Sequence, residues 1–178
     1  EDLAKEQIVE RYDDLREEEI HERAHAVGLA ALKFMLLGKD TKVRIVFDPK
    51  ESIRFEGDTG PYLLYTHARA SSILTKAAAE VGEISDGSAP VETKELELAV
   101  SLSNYPEVCE DAARQLRPHV LCHYLLDVAH KFNEFYHALP VLKAEKAQMH
   151  QRLRIVRATK QVLFNGLKLL GIIPIEKM

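Results

Sequence analysis

Cysteine is scarce in this sequence: Cys109 and Cys122 are its two thiols. They form no C-x-x-C pair, which excludes a disulfide framework or a cysteine-rich zinc site and fits buried or half-buried thiols in a reducing compartment. Long apolar runs are also missing. None approaches the roughly 20 residues that a membrane span needs. The acidic start has neither the basic region nor the apolar stretch of a secretory signal, so no membrane partner is expected and the location expected is cytoplasmic. There is no G-x-G-x-x-G, no P-loop and no G-x-S-x-G. These residues therefore offer no glycine-rich cradle for a nucleotide phosphate and no nucleophile elbow, and nothing in them looks catalytic. Internal repeats and low-complexity tracts are absent too.

What is present suits one globular domain with an extension. The chain has 178 residues, 46% hydrophobic and 29% charged, enough to bury a core. Its net charge of -4 averages over an uneven distribution. Residues 130–178 hold nine Lys and Arg against three acids, a local excess of +6, while the segments before them are acidic. A basic tail on an acidic body is compatible with a phosphate backbone.

The segment from about Leu3 to Leu37 is rich in Glu, Arg, Ala and Leu and lacks proline, which predicts one or two helices ending at Gly38-Lys39-Asp40. The alternation of Val43, Ile45 and Phe47 predicts a brief strand that Asp48-Pro49 breaks. Phe55 to Pro61 reads as a compact loop, with Pro61 suited to a first helical turn. A helix to about Val81, an exposed loop from Gly82 to Pro90, and helices near 93–103, 106–116, 118–139 and 145–170 follow, the last closed by Gly171. The expected fold is all-α: a helical bundle with a small strand or loop element before it.

On a helical wheel the segment after Pro61 puts Leu63, Ala70, Leu74, Ala77, Ala78 and Val81 on one face. Tyr62, Tyr65, Arg69, Ser72 and Lys76 fall on roughly the opposite one. Two uses fit that second face. Its tyrosines could stack on bases while its cations meet phosphates, or the rings could pack on another helix with the charges solvated. The terminal helix divides similarly, with Leu153, Val156, Leu163, Phe164, Leu167 and Leu170 opposite a stripe of Arg154, Arg157, Gln161 and Lys168. That stripe is either a solvated face or a phosphate track.

Two histidine patterns invite a metal. His21-Glu22-Arg23-Ala24-His25 matches H-E-x-x-H, which in a zinc peptidase would place two imidazoles on one ion. Ala31 stands where a third ligand is needed, and Glu17-Glu18-Glu19 with Arg23 make the surroundings unlike a dry metal site. His119, His123, His130 and His137 form a stripe with Asp127 and Glu134, opposite a core face of Leu121, Tyr124, Val128, Phe132, Phe135 and Leu139. The expectation for both is a solvent-facing helix edge and no bound metal.

The run Phe55-Glu56-Gly57-Asp58-Thr59-Gly60-Pro61-Tyr62-Leu63-Leu64-Tyr65-Thr66-His67-Ala68-Arg69 resembles the segment that opens the anticodon-binding domain of arginyl-tRNA synthetases. Tyr105-Pro106-Glu107-Val108, Phe132-Asn133-Glu134-Phe135-Tyr136 with Pro140-Val141-Leu142, and the ending Asn165 to Ile172 through Met178 follow in the family's order. The helix Ala26 to Phe34 is similar as well.

The resemblance implies that residues 1–52 are the end of a catalytic body and 53–178 the anticodon-binding domain of a class I ligase. Such a ligase joins arginine to its tRNA with ATP and Mg. The ATP motifs of that class are not in this sequence, so no cofactor is expected here and the chain alone is expected to be inactive. Its expected partners are tRNA for arginine and the catalytic domain of the same protein, and not DNA. The resemblance also implies that Phe55, Glu56, Gly57, Asp58, Thr59, Gly60, Tyr62, Tyr65, Arg69, Tyr136 and Met178 contact the anticodon loop. Lys76, Arg154, Arg157 and Lys168 are the candidate phosphate contacts. Leu64 departs from the family's frequent glutamine. All arginine codons share a middle G, so the base to be read is a middle C, which backbone groups in a glycine-bearing loop can meet. A stand-alone helical RNA-binding or interaction module is the alternative.

Overall fold

The computed structural model describes residues 2–11, 15–46, 48–80 and 89–178. Eight helices run through them: α1 (Asp2–Val9), α2 (Glu17–Leu37), α3 (Pro49–Ser52), α4 (Gly60–Glu80), α5 (Thr93–Ser103), α6 (Tyr105–Arg114), α7 (Pro118–Ala138) and α8 (Lys146–Leu169). Local chemistry sets their ends. Three acids, Glu17, Glu18 and Glu19, occupy the first turn of α2, where the helix dipole favours negative charge. Pro118 opens α7, where a missing N–H costs no helical bond. Thr59 Oγ1 accepts from Tyr62 N at 3.1 Å and so caps α4. Gly171, at φ 69°, turns the chain out of α8, and the N–H of Ile172 closes back on the Leu167 carbonyl at 2.9 Å.

The expected strand is not there. Thr41 to Val46 form no ladder, with Val43 55% and Val46 81% exposed; Phe47 lies outside the described residues. A strand needs a neighbour to take its N–H and C=O groups, and no other segment among the described residues offers one. Asp48 instead accepts from Lys50 N and Glu51 N and starts the four-residue α3, which the sequence reading missed. Most of the loop expected at Gly82–Pro90 also lies outside the described residues.

α4 is the hub. It packs on α2, α7 and α8, while α7 in turn carries α5 and α6. Because neighbours cover it on several sides, Leu64, Thr66, His67, Ala68, Ser71 and Ile73 are buried along with the predicted Leu63, Ala70 and Ala77. Gly60 lets α4 touch α2 backbone to backbone: a Cβ there would lie 2.3 Å from the Ala30 carbonyl oxygen. One apolar core takes in Ala4, Ile8 and Val27 together with Leu63, Leu98, Phe132, Phe135, Leu153 and Leu167, so it runs across the expected 52/53 boundary without a break. Each fully buried Leu or Phe contributes about 1.5–3 kcal/mol.

A charged pair lies inside this core. Arg152 on α8, 2% exposed, donates from Nε to Oε1 of the wholly buried Glu95 on α5 at 2.8 Å and from Nη1 to the Pro140 carbonyl at 2.7 Å. Glu95 Oε2 accepts from the Glu92 N–H at 2.7 Å and from Gln151 Nε2 at 3.3 Å. The carboxylate thus caps its own helix while fixing α5 to α8.

Candidate nucleic-acid interface

α4 and α7 cross so that Tyr65, Arg69 and Tyr136 face a common groove of about 1130 Å³. Arg69 is the centre of the arrangement. Its Cζ lies 4.5 Å from the Tyr65 ring centroid and 5.6 Å from that of Tyr136, a cation between two aromatic faces. Nη2 donates to Tyr65 Oη and Nη1 to Asn133 Oδ1 at 2.6 Å. Among the described residues, Arg11, Arg23, Lys76, Lys143 and Lys177 bring the side chains lining the groove to six cations, against one side-chain carboxylate, Glu176. In a chain of net charge -4, that concentration of positive charge beside aromatic rings and the apolar Val141, Leu142 and Met178 is suited to a polyanion bearing flat bases.

The last residues form one wall. His67, fully buried, donates from Nδ1 to the Ile175 carbonyl at 2.9 Å. Glu176 Oε2 accepts from Ser71 Oγ and, at 2.6 Å, from Lys160 Nζ. These bonds hold Lys177 and Met178 against the groove. Burial holds the His67 pKa below its ordinary value near 6.5, with the Ile175 bond and the Glu176 charge opposing that shift in part. For Glu176, desolvation pushes upward, but the bonds from Lys160 and Ser71 outweigh it and hold the carboxyl below its ordinary 4.5.

The sign of the linkage follows from His67. The unfolded chain takes up its proton first as pH falls, so this stabilisation is full above about pH 6.5 and is lost as pH drops through that value toward the folded pKa. The melting temperature should therefore decline between pH 7.5 and 5.5. In His67→Asn, whose Nδ2 replaces the Nδ1 donor, the decline should be shallower; an unchanged slope would remove His67 from the account. Glu176 adds a second loss only below its own ordinary value.

The predicted contacts do not all meet in this groove. Tyr65, Arg69, Lys76, Tyr136 and Met178 line it. Glu56, Gly57, Asp58, Thr59 and Gly60 line a separate cleft of about 520 Å³ with Phe34 and His123. Phe55 reaches no surface: it is 3% exposed, with the Arg11 guanidinium 4.9 Å from its ring centroid, and it anchors the loop. Tyr62 is turned to α7, its Oη accepting from Asn133 Nδ2 at 2.8 Å and lying 3.2 Å from His130 Nδ1. Arg154, Arg157 and Lys168 line neither cleft; Lys168 sits over the Phe164 ring on α8.

The histidine stripe also has structural work that the wheel missed. His123 Nε2 donates to the Gly38 carbonyl at 3.1 Å, and His119 Nε2 stands 3.8 Å from Asp40 Oδ2, so both secure the end of α2. His130 Nε2 lies 3.4 Å from Asp58 Oδ1 and joins α7 to the loop before α4. His137 lines the groove beside Tyr136. His21, Glu22 and His25 are exposed along α2, and among the described residues no three His, Cys, Asp or Glu side chains are grouped to hold a metal ion.

Sequence reasoning overlooked Asn133, Lys143 and Lys177. Asn133 stood in a block already matched to a family, which was the available signal. The two lysines had none, because only the tertiary fold brings the α7–α8 connection and the last residues to Tyr65.

A family model described as the DALR anticodon binding domain matches residues 63–178. Among curated proteins, the "Arginine--tRNA ligase" of Thermococcus kodakarensis is 42% identical over 98% of this chain and 28% of its own length, and that of Archaeoglobus fulgidus is 41% identical over 93% and 30%. Among solved structures, the Thermus thermophilus arginyl-tRNA synthetase superposes with a TM-score of 0.87 at 36% identity, over 98% of this chain and 30% of that one. The arginyl-tRNA synthetase of Plasmodium falciparum gives 0.87 at 25%, over 98% and 31%. This chain therefore spans less than a third of the length of these relatives.

Proposed function

This chain belongs to the DALR anticodon-binding domain family, and from that premise we propose that it binds the anticodon loop of an arginine tRNA on behalf of a longer arginine-tRNA ligase. The observation that carries the reading is the groove of Tyr65, Arg69 and Tyr136 ringed by cations. RNA loops are recognised through unstacked bases laid on aromatic or guanidinium planes, with phosphates drawn to Lys and Arg. The exposed Gly57 and Asp58 in the adjoining loop supply polar groups toward a base edge.

ATP and arginine are handled, in this proposal, by the remainder of the longer protein in the cytoplasm. The residues of this chain include no glycine-rich phosphate cradle, and no step of the ligation is assigned to them. The remainder also has a place to dock. Val43, Ile45 and Val46 expose apolar side chains in a segment with no ladder partner among the described residues, and Leu32 and Leu36 expose apolar side chains on α2. We assign this face to contact with that catalytic body.

The test is a pair of titrations at one salt concentration, with an arginine tRNA and with the same tRNA carrying a changed middle anticodon base. The substituted tRNA should bind about tenfold more weakly, the scale of one lost base contact. Equal affinity for the two would leave the groove a general RNA-binding surface.

A further inference from the structure

Asn133 sits half-buried on α7 opposite α4, and both ends of its amide are engaged. Nδ2 donates to Tyr62 Oη at 2.8 Å, to Thr66 Oγ1 at 3.4 Å and to the Ala129 carbonyl at 3.0 Å. Oδ1 accepts from Arg69 Nη1 at 2.6 Å. The chemistry fixes this orientation, because a guanidinium only donates and the amide must turn its oxygen toward it. We infer that Asn133 is a positioning residue of the interface: it sets the Arg69 guanidinium between the Tyr65 and Tyr136 rings. The inference rests on the RNA reading of the groove only where it concerns affinity.

Three features lead to it. Arg69 shares its groove with five other cations, which tend to push its charge outward. Its partners among the described residues are neutral: Asn133, the Tyr65 hydroxyl and the two rings. The guanidinium therefore keeps its positive charge available to an anionic ligand, yet it is no loose side chain. A long, rotamer-rich arginine held in one plane beforehand loses less freedom when a ligand arrives. Asn133 supplies the fixed acceptor on the α7 side, and its bond to the Tyr62 hydroxyl, one to two turns before Tyr65 and Arg69, is separate from that contact. A carboxylate at this place would fix the guanidinium equally well but would neutralise it; an amide fixes it and leaves the charge.

The test uses this chain and an RNA stem-loop bearing an anticodon loop with a middle C. Asn133→Ala should weaken binding about three- to tenfold, the scale of one hydrogen bond. The same change made in an Arg69→Ala background should weaken it less than about twofold, because Asn133 acts through Arg69. In the free protein, the side-chain Nε–H resonance of Arg69, shifted by the two ring currents, should move to the position of a solvated arginine in Asn133→Ala and stay in place in Tyr62→Phe. Asn133→Leu, closer in volume, serves if the alanine variant does not fold. An equal loss of affinity with and without Arg69, or an unmoved Arg69 resonance, would overturn the inference. If the wild-type chain does not bind the stem-loop, the RNA reading falls, and the resonance alone decides whether Asn133 positions Arg69.

Discussion

Glu95→Ala is expected to lower the stability of the fold by about 3–5 kcal/mol, because it strands the Arg152 charge in a core where that residue is 2% exposed. Neither remaining neighbour replaces the carboxylate: the Pro140 carbonyl holds Nη1 but carries no charge, and Glu92, before α5, stands 4.0 Å from Nη2 at the exposed edge. The variant also removes the acceptor of the Glu92 N–H at the start of α5 and with it a cap. Urea unfolding measures the loss directly. Replacing both partners, Glu95→Leu with Arg152→Met, should restore a large part of it, since a desolvated ion pair is close to an even exchange for well-packed apolar side chains. A double variant as unstable as Glu95→Ala would mean that the polar network, with Gln151 and Pro140, holds the helices in place beyond the cancellation of charge.

Tyr65→Ala should weaken binding of the anticodon stem-loop by about 1–3 kcal/mol at any salt concentration, the range of one base stacked on one ring. Lys76, in the same groove, should behave differently. Its loss should lower affinity and also flatten the dependence of log K on log salt by about 0.7 to 0.9, as one phosphate contact fewer releases one counterion fewer. Lys168→Ala, on the far stripe of α8, should leave affinity for the stem-loop and its slope as they were. Tyr62→Ala is a further discriminator, since its hydroxyl is held by Asn133 and His130 and the ring is turned from the groove; its cost should appear in stability more than in a stacked base. A stem-loop that binds Tyr65→Ala as tightly as the wild type would give Tyr65 the packing role that Tyr62 has.

The helices were legible wherever a local signal bounded them. Pro118, the Asn104-Tyr105-Pro106 junction and Gly171 act on their own backbone neighbours, and those boundaries fall within a residue or two of the reading. The strand at Val43 was overread because alternation records which side chains are apolar and not whether a ladder partner exists. α4 was half read. A wheel assumes one buried face, and this helix is enclosed by three others, so Leu64, His67 and Ser71 could not be seen as interior. The Glu95–Arg152 pair was invisible for a related reason: each reads as an ordinary surface charge until α5 and α8 meet. Within the site, the tyrosines and Arg69 share a helical face and were found together. Their separation into Tyr65 toward the groove and Tyr62 toward His130, and the arrival of Lys143, Lys177 and Met178, depend on how α7 and the last residues pack on α4.

The central claim is that the groove between α4 and α7, with the Gly57–Asp58 loop beside it and not the basic stripe of α8, receives the anticodon loop. Photo-crosslinking tests it most directly: a tRNA carrying a photoreactive base in the anticodon loop is bound, irradiated and digested, and the modified peptides are identified by mass spectrometry. Adducts on Tyr65, Arg69, Tyr136 or Met178 are the predicted result. Adducts confined to the Arg154–Lys168 stripe of α8, with the groove unmodified, would contradict it.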